Sequence, residues 1–206
     1  MAGQSSLLMA KRLFDLIGAG LALLLLAPLL LAVALLIRLD SPGPVFFRQQ
    51  RVGRGGVLFS IHKFRTMQAD APLIGPQVTV GADPRITRIG HALRHYRIDE
   101  LPQFIDVLRG RMSLVGPRPE VPRFVAHYPP ALAAQVLSVR PGITDPAALA
   151  HIDEALELAG AADPEREYIA HILPRKLALQ AQYAASATLA SDLAVLGRTL
   201  KALLAR

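Results

Sequence analysis

Residues 97–103 read "RIDELPQ", and they place an acid pair, Asp99 and Glu100, inside a very basic stretch. Between Arg85 and Arg118 there are seven arginines (85, 88, 94, 97, 109, 111 and 118) and three acids, Asp99, Glu100 and Asp106. Acids at a helix start are ordinary on their own, because they cap free N–H groups and suit the helix dipole. The arginines make a second chemistry available. Guanidinium groups bind phosphate oxygens in bidentate fashion, and a helix N-terminus adds its own amides to an anion site. A carboxylate held beside such a phosphate can attack phosphorus and form an aspartyl-phosphate. Carboxylate and diphosphate repel unless a cation bridges them, and Mg²⁺ takes one or two carboxylates together with phosphate oxygens. On this reading Asp99 is the nucleophile, and Glu100 holds the metal or positions its neighbour.

Other chemistries lack their residues. No Walker A sequence and no GxGxxG pattern is present, which excludes a P-loop NTPase and a standard dinucleotide binder. No HExxH or other histidine cluster occurs, so His62, His91 and His95 read as structural or surface residues. The absence of cysteine excludes a thiolate metal site, a disulfide scaffold and a Cys nucleophile. A net charge of +7 favours anionic partners. Single-stranded nucleic acid is disfavoured among them, since there is no Trp and few other aromatics to stack on bases.

The elements that must position the pair begin with a membrane segment. Leu16 to Ile37 carries no charge over 22 residues, enough for a membrane-embedded helix. A signal peptide fits poorly, because the run is too long and no small-residue cleavage site follows it. Pro28 lies near its centre, where proline kinks or breaks a helix. Lys11 and Arg12 precede the run, and Arg38, Arg48 and Arg51 follow it. Positive charge on both flanks puts both ends on the cytoplasmic side, so a re-entrant hairpin broken near Pro28 is expected rather than a straight span. Asp15 is expected at the interface, paired with Lys11 or Arg12. The chain thus divides into a membrane-embedded part, 1–40, and a cytoplasmic catalytic domain, 41–206.

Within that domain, Val45 to Gln49 and Val57 to Lys63 have strand character around the turn "VGRGG", which predicts a hairpin. Gln68 to Asp83 reads as a loop. Ile86, Ile89, Leu93 and Tyr96 recur at helical spacing, as do Leu101, Phe104, Ile105 and Leu108. Asp99 is expected as N-cap of the second helix, with Pro102 in its first turn and Gly110 at its end. "SLVGPRPEVP" and "VRPGIT" are rigid loops. The C-terminal stripe Leu189, Leu193, Leu196, Leu200 and Leu203 reads as a helix packed on the core; the alternative is an interfacial helix on anionic lipid.

Taken in order, "KRLFD", "GPVFFRQQRVG", "HKFRTM", "RIDELPQFIDVLRGRMSLVGPRP" and "RPGIT" resemble the bacterial sugar transferases, the small monotopic phosphoglycosyl transferases. The resemblance covers roughly residues 11 to 145 and is specific through the joint occurrence of its fragments. It implies an α+β, mostly α-helical fold: a re-entrant membrane helix, a small β-hairpin and interfacial amphipathic helices. It implies transfer of a sugar phosphate from a UDP-sugar to polyprenyl (undecaprenyl) phosphate with release of UMP, an early membrane step of glycoconjugate or exopolysaccharide synthesis. The implied setting is the cytoplasmic face of the bacterial inner membrane, with membrane lipid as a partner and no nucleic acid. Mg²⁺ is the implied cofactor. Asp99 then attacks the β-phosphorus and Glu100 assists, both as metal ligands. Lys63, Arg94 and Arg118 match basic positions around the phosphates, and Pro119 and Arg140 match positions lining the site.

Three departures mark this sequence. Ala27 stands where Ser often precedes the breaking proline, "RPGIT" continues as "DPAALAHIDE" instead of Gly and then Trp, and the extra membrane domain of larger members is not expected. A membrane-tethered binding protein without catalysis is the competing reading, and a glycosyltransferase releasing UDP is a third. The sugar and the choice between monomer and homodimer stay open.

Overall fold

The computed structural model describes residues 2–71, 83–151, 154–158 and 160–205. The first element, α1, runs from Ala2 to Asp40 as one helix of 39 residues, about 58 Å if straight. Pro28 lies inside it. The break expected there does not end the helix, since proline removes a single hydrogen bond of the ladder. One face of α1 packs down through Asp15, Ala19, Val33 and Ile37, while Leu24, Leu25 and Leu31 stay exposed.

Both halves of α1 are seated on the same globular unit. Near the start, Ala19 packs with Ile61, Val107, Met112 and Val115. Near the end, Val33 and Ile37 pack with Phe64 and Leu93. Each such side chain contributes about 2 kcal/mol on burial. Polar contacts fix the register. Asp15, 1% exposed, accepts from Ser113 Oγ and Leu114 N, each at 3.0 Å. Lys11 Nζ donates to the Val115 carbonyl at 3.1 Å and to Asp192 at 2.5 Å. Arg12 donates to the carbonyls of Val107 and Leu108. The expected pairing of Asp15 with Lys11 or Arg12 is therefore corrected. All three reach across to the domain, because a buried carboxylate needs fixed donors and backbone amides supply them.

The predicted hairpin is present and longer than expected. β1 (Phe46–Val52) pairs antiparallel with β2 (Leu58–Phe64), Phe47 facing Lys63. The turn uses Gly55 and Gly56 with positive φ, which glycine adopts without strain. The next helix, α2, is Arg88–His95, N-capped by Thr87. Residues 72–82 of the predicted loop lie outside the described residues.

Asp99 is not an N-cap. Arg97 takes that place with φ 56° and ψ 20°, and Ile98–Gln103 form a 3₁₀ helix that contains Asp99, Glu100 and Pro102. It runs directly into a short helix, α3 (Phe104–Leu108), closed as expected at Gly110, φ 76°. Two short parallel strands follow, β3 (Ser113–Val115) and β4 (Gly142–Thr144). They bring the "GPRP" and "RPGIT" loops side by side. The C-terminal half adds α4 (Pro122–Val125), α5 (Pro130–Val136) and α6 (Pro146–Ala150), then short turns and two longer helices, α7 (Leu173–Ser186) and α8 (Leu189–Leu204). The leucine stripe of α8 divides. Leu196 packs beside buried Val195, while Leu193 and Leu200 are exposed.

The parallel ladder depends on two glycines. A Cβ at Gly142 would sit 2.1 Å from Gly116 N and 2.4 Å from Gly116 O, and backbone at that range cannot move aside. Gly142→Ala should lower stability by about 2 kcal/mol or more. Thermal unfolding in detergent, against wild type, checks this.

Candidate active site

Four structural pieces converge on the acid pair. β2 contributes Lys63, α2 contributes Arg94, the 3₁₀ turn contributes Arg97, Asp99 and Glu100, and the loop after β3 contributes Arg118. Glu100 Oε1 is the meeting point. Lys63 Nζ donates to it at 2.8 Å, Arg118 Nη2 makes a very short bond to it, and Arg97 Nη1 is 3.9 Å away. Asp99 is treated differently. Lys63 Nζ lies 3.8 Å from its Oδ2, beyond hydrogen-bond range. No donor among the described residues bonds to its carboxylate. Both acids are buried, 7% and 8% exposed.

The environments push the two carboxyls apart. Burial raises both, but at Glu100 the charges of Arg118, Lys63 and Arg97 outweigh it and hold the carboxyl well below its ordinary range. At Asp99 burial prevails, reinforced by the negative charge of Glu100, and its pKa lies above the usual value. Glu100 is thus an anchor held in its ionised form, and Asp99 is a carboxylate without hydrogen-bond partners among the described residues.

The cations are positioned from outside. Arg94 Nε donates to Thr66 Oγ1 at 2.9 Å. Burial lowers its pKa, and Asp99 opposes that. Arg118 donates from Nη1 to the Ile143 carbonyl at 3.1 Å, and its N–H is held by Asp145 Oδ2 at 2.9 Å. Asp145, fully buried, also takes Gln180 Nε2 and caps α6. It occupies the position where the "RPGIT" continuation departs from the resembled pattern. Buried Pro119 presents its carbonyl to Arg51 Nη1 at 3.0 Å. Arg51 also lies 3.5 Å from Glu120, and Glu120 joins Tyr168 and Lys176 in a buried network.

Arg140 is placed elsewhere. Its Nε donates to the Gly110 carbonyl, and the charges acting on it are Arg54, Arg12 and Asp15, none of the Asp99 cluster. Of the seven clustered arginines, Arg85 pairs with Asp83 and Arg109 approaches His62 Nε2. His62 is structural as expected, its Nδ1 bonded to buried Asp106 at 2.7 Å. Sequence reasoning counted Arg97 among the clustered arginines without giving it a role of its own, and it missed Thr66 and Asp145. The left-handed backbone of Arg97, the only non-glycine positive φ among the described residues, left no mark in residue type.

The donor set suits one divalent cation shared with a substrate. No group of three or more His, Cys, Asp or Glu side chains at metal spacing exists among the described residues, but Mg²⁺ needs only one or two carboxylates when phosphates complete its shell. Among the described residues Asp99 lacks hydrogen-bond donors, and Glu100 is held through one oxygen.

The family described as "Bacterial sugar transferase" matches residues 6–206. Among similar curated proteins, a UDP-N-acetylgalactosamine-undecaprenyl-phosphate N-acetylgalactosaminephosphotransferase of Aeromonas hydrophila is 47% identical over 143 residues, 68% of this chain and 34% of that protein. A UDP-glucose:undecaprenyl-phosphate glucose-1-phosphate transferase of Caulobacter vibrioides is 40% identical over 199 residues, 94% of this chain and 69% of that protein. An exopolysaccharide production protein of Rhizobium leguminosarum bv. phaseoli is 54% identical over 112 residues, 54% of this chain and 56% of that protein. The matched region thus spans about a third of the Aeromonas relative and about half of the Rhizobium one.

The two acids should act oppositely on stability. Glu100, with its lowered folded pKa, stabilises the fold above the unfolded carboxylate value of about 4.3, and this is lost as pH falls toward its folded value. Asp99, with a raised folded pKa, destabilises when ionised, and that penalty is relieved as pH falls through its folded value. At pH 7, Glu100→Gln should cost about 3 kcal/mol by leaving Lys63 and Arg118 uncompensated. Asp99→Asn should unfold at or above the wild-type temperature. Melting curves of wild type and both variants from pH 7 down to about 2.5, which spans the range below the unfolded carboxylate value of about 4.3, check the signs.

Proposed function

The chain belongs to the bacterial sugar transferase family, and we propose that it is a phosphoglycosyl transferase acting on a UDP-sugar and a polyprenyl phosphate, undecaprenyl phosphate in the names of its relatives. The observation that carries this reading is the divided acid pair. Glu100 is tied to Lys63 and Arg118, and Asp99 beside it lacks hydrogen-bond donors among the described residues.

In the proposed reaction an Asp99 carboxylate oxygen attacks the β-phosphorus of the UDP-sugar. The bond from that phosphorus to the bridging oxygen breaks, and UMP leaves with the electron pair. A sugar phosphate remains linked to Asp99 as an acyl phosphate. An oxygen of the polyprenyl phosphate then attacks the same phosphorus and breaks its bond to Asp99. A polyprenyl diphosphate sugar forms and the carboxylate is restored. One phosphoanhydride replaces another, so no further energy source enters. Lys63, Arg94 and Arg118 neutralise the charge that accumulates on the phosphoryl oxygens, and positioning does the rest. Glu100 fixes Lys63 and Arg118 relative to Asp99. Asp99 and Glu100 would hold Mg²⁺, which would supply charge neutralisation for the diphosphate. Two anionic substrates visiting in turn avoid mutual repulsion.

Residues 1–40 serve this chemistry as a re-entrant membrane anchor at the cytoplasmic face of the inner membrane. The support is geometric. A straight crossing would part the helix ends by about 30 Å of hydrocarbon, whereas Lys11–Ala19 and Val33–Asp40 both contact one domain. The sugar stays open, because the relatives name both N-acetylgalactosamine and glucose.

Purified protein with undecaprenyl phosphate, Mg²⁺ and a panel of UDP-sugars should release UMP, and Asp99→Asn should release none. Release of UDP, or equal turnover by Asp99→Asn, overturns the covalent mechanism. The chain lacks cysteine, so Leu8→Cys and Leu39→Cys, both at exposed sites, report topology cleanly. In spheroplasts, a membrane-impermeant thiol reagent should reach neither until the membrane is opened. Labelling of one alone marks a straight span.

A further inference from the structure

Two arginines from distant parts of the chain, Arg12 and Arg140, border Gly110, the residue that closes α3, and a third, Arg54, sits on the neighbouring β1–β2 turn. Arg12 donates from Nη1 to the Val107 carbonyl at 2.8 Å and from Nη2 to the Leu108 carbonyl at 3.1 Å. Arg140 Nε donates to the Gly110 carbonyl at 3.0 Å. A Cβ on Gly110 would lie 3.5 Å from Arg12 Nη2, so both guanidinium groups border the same residue. Arg54 is exposed on the β1–β2 turn, and that turn is tied to the segment leading into Arg140 by Gly55 N–H to the Leu137 carbonyl, 2.8 Å. A guanidinium carries five N–H donors. Among the described residues Arg12 uses two and Arg140 one. The acid that faces them, Asp15, is already engaged by Ser113 and Leu114. Burial, then the like charges of Arg54 and Arg12, lower the pKa of Arg140 against the opposing charge of Asp15.

Depth identifies what can neutralise them. Arg12 stands four residues before Leu16, where the uncharged run begins, about 6 Å along the helix. Each polar layer of a bilayer is about 5–7 Å thick. With α1 inserted, Arg12 therefore stands at headgroup level, and Gly110 and Arg140 stand there with it. Exposed Leu13, Val57, Leu58 and Leu108 lie in the same segments, the mixture of apolar and cationic groups suited to that layer.

We propose that Arg12, Arg54 and Arg140 around Gly110 form a binding site for the phosphodiester headgroup of an anionic membrane lipid, apart from the Asp99 cluster. The site rests on the proposed insertion of α1. It fixes the depth of the domain and keeps Arg140 for the membrane.

The test reconstitutes the full chain in nanodiscs of phosphatidylcholine with a small share of spin-labelled phosphatidylglycerol. The fraction of motionally restricted label is compared with that of spin-labelled phosphatidylcholine. Wild type should enrich the anionic lipid. Arg54→Gln, on an exposed turn, should weaken the preference by about fivefold, the effect of one interfacial basic residue. Arg54→Gln with Arg140→Gln should abolish it, with melting temperature checked in parallel. Equal enrichment in wild type and the double variant overturns the site. Loss of the preference in millimolar inorganic phosphate also overturns it, marking a general anion site. Failure of wild type to remain in neutral phosphatidylcholine discs refutes the inserted helix, and the headgroup site with it; UMP release in detergent then tells whether the catalytic reading survives.

Discussion

Glu100 Oε1 gathers a strand, a turn and a loop onto one atom. Lys63 comes from β2, Arg118 from the loop that the β3–β4 ladder supports, and Arg97 from the residue that opens the 3₁₀ turn. Glu100 is buried and Lys63 and Arg118 are largely so, and such charges are costly unpaired; Arg97 adds its charge from a more exposed position. Their mutual neutralisation makes the separate pieces one body, and it leaves Asp99 as the carboxylate with least support. A site that holds its cations through one acid keeps its neighbour available for chemistry. Burial raises the pKa of the Asp99 carboxyl, and no hydrogen-bond donor among the described residues offsets it.

The second constraint is the seating of α1. A long apolar helix has no preferred rotation from its leucines, since every face is greasy. Lys11, Arg12 and Asp15 supply the missing information by engaging Asp192, the end of α3 and the start of β3. Its far end is held by apolar packing, with Asp40 accepting from Ile89 N. The chemistry above Gln103 and the helix below are therefore parts of one rigid arrangement, linked through α3.

Much of this was legible in residue order. The apolar run, the hairpin with its glycine turn, the helix ending at Gly110 and the acid pair all follow from local pattern, since capping, periodicity and turn chemistry act within a few residues. What stayed hidden was long in range or purely conformational. Lys11 meets Asp192 across 181 positions. Asp145 reaches back to Arg118 and forward to Gln180. Arg97 has an unusual backbone that nothing in its side chain announces. Arg140 illustrates the limit of motif transfer: it stands in "RPGIT", beside the loop that carries Arg118, yet its guanidinium turns to Gly110. Motif adjacency fixes where a backbone goes, not where a long side chain ends.

The bond between Lys11 and Asp192 also orders events in time. Lys11 is synthesised 181 residues before the carboxylate that receives it. At elongation speeds of about 5–20 residues per second that stretch takes roughly ten to forty seconds to appear. Throughout that interval Lys11 lacks its carboxylate, whereas Asp15 meets Ser113 and Leu114 about halfway through. The start of α1 is thus seated in two steps, first on β3 and only later on α8.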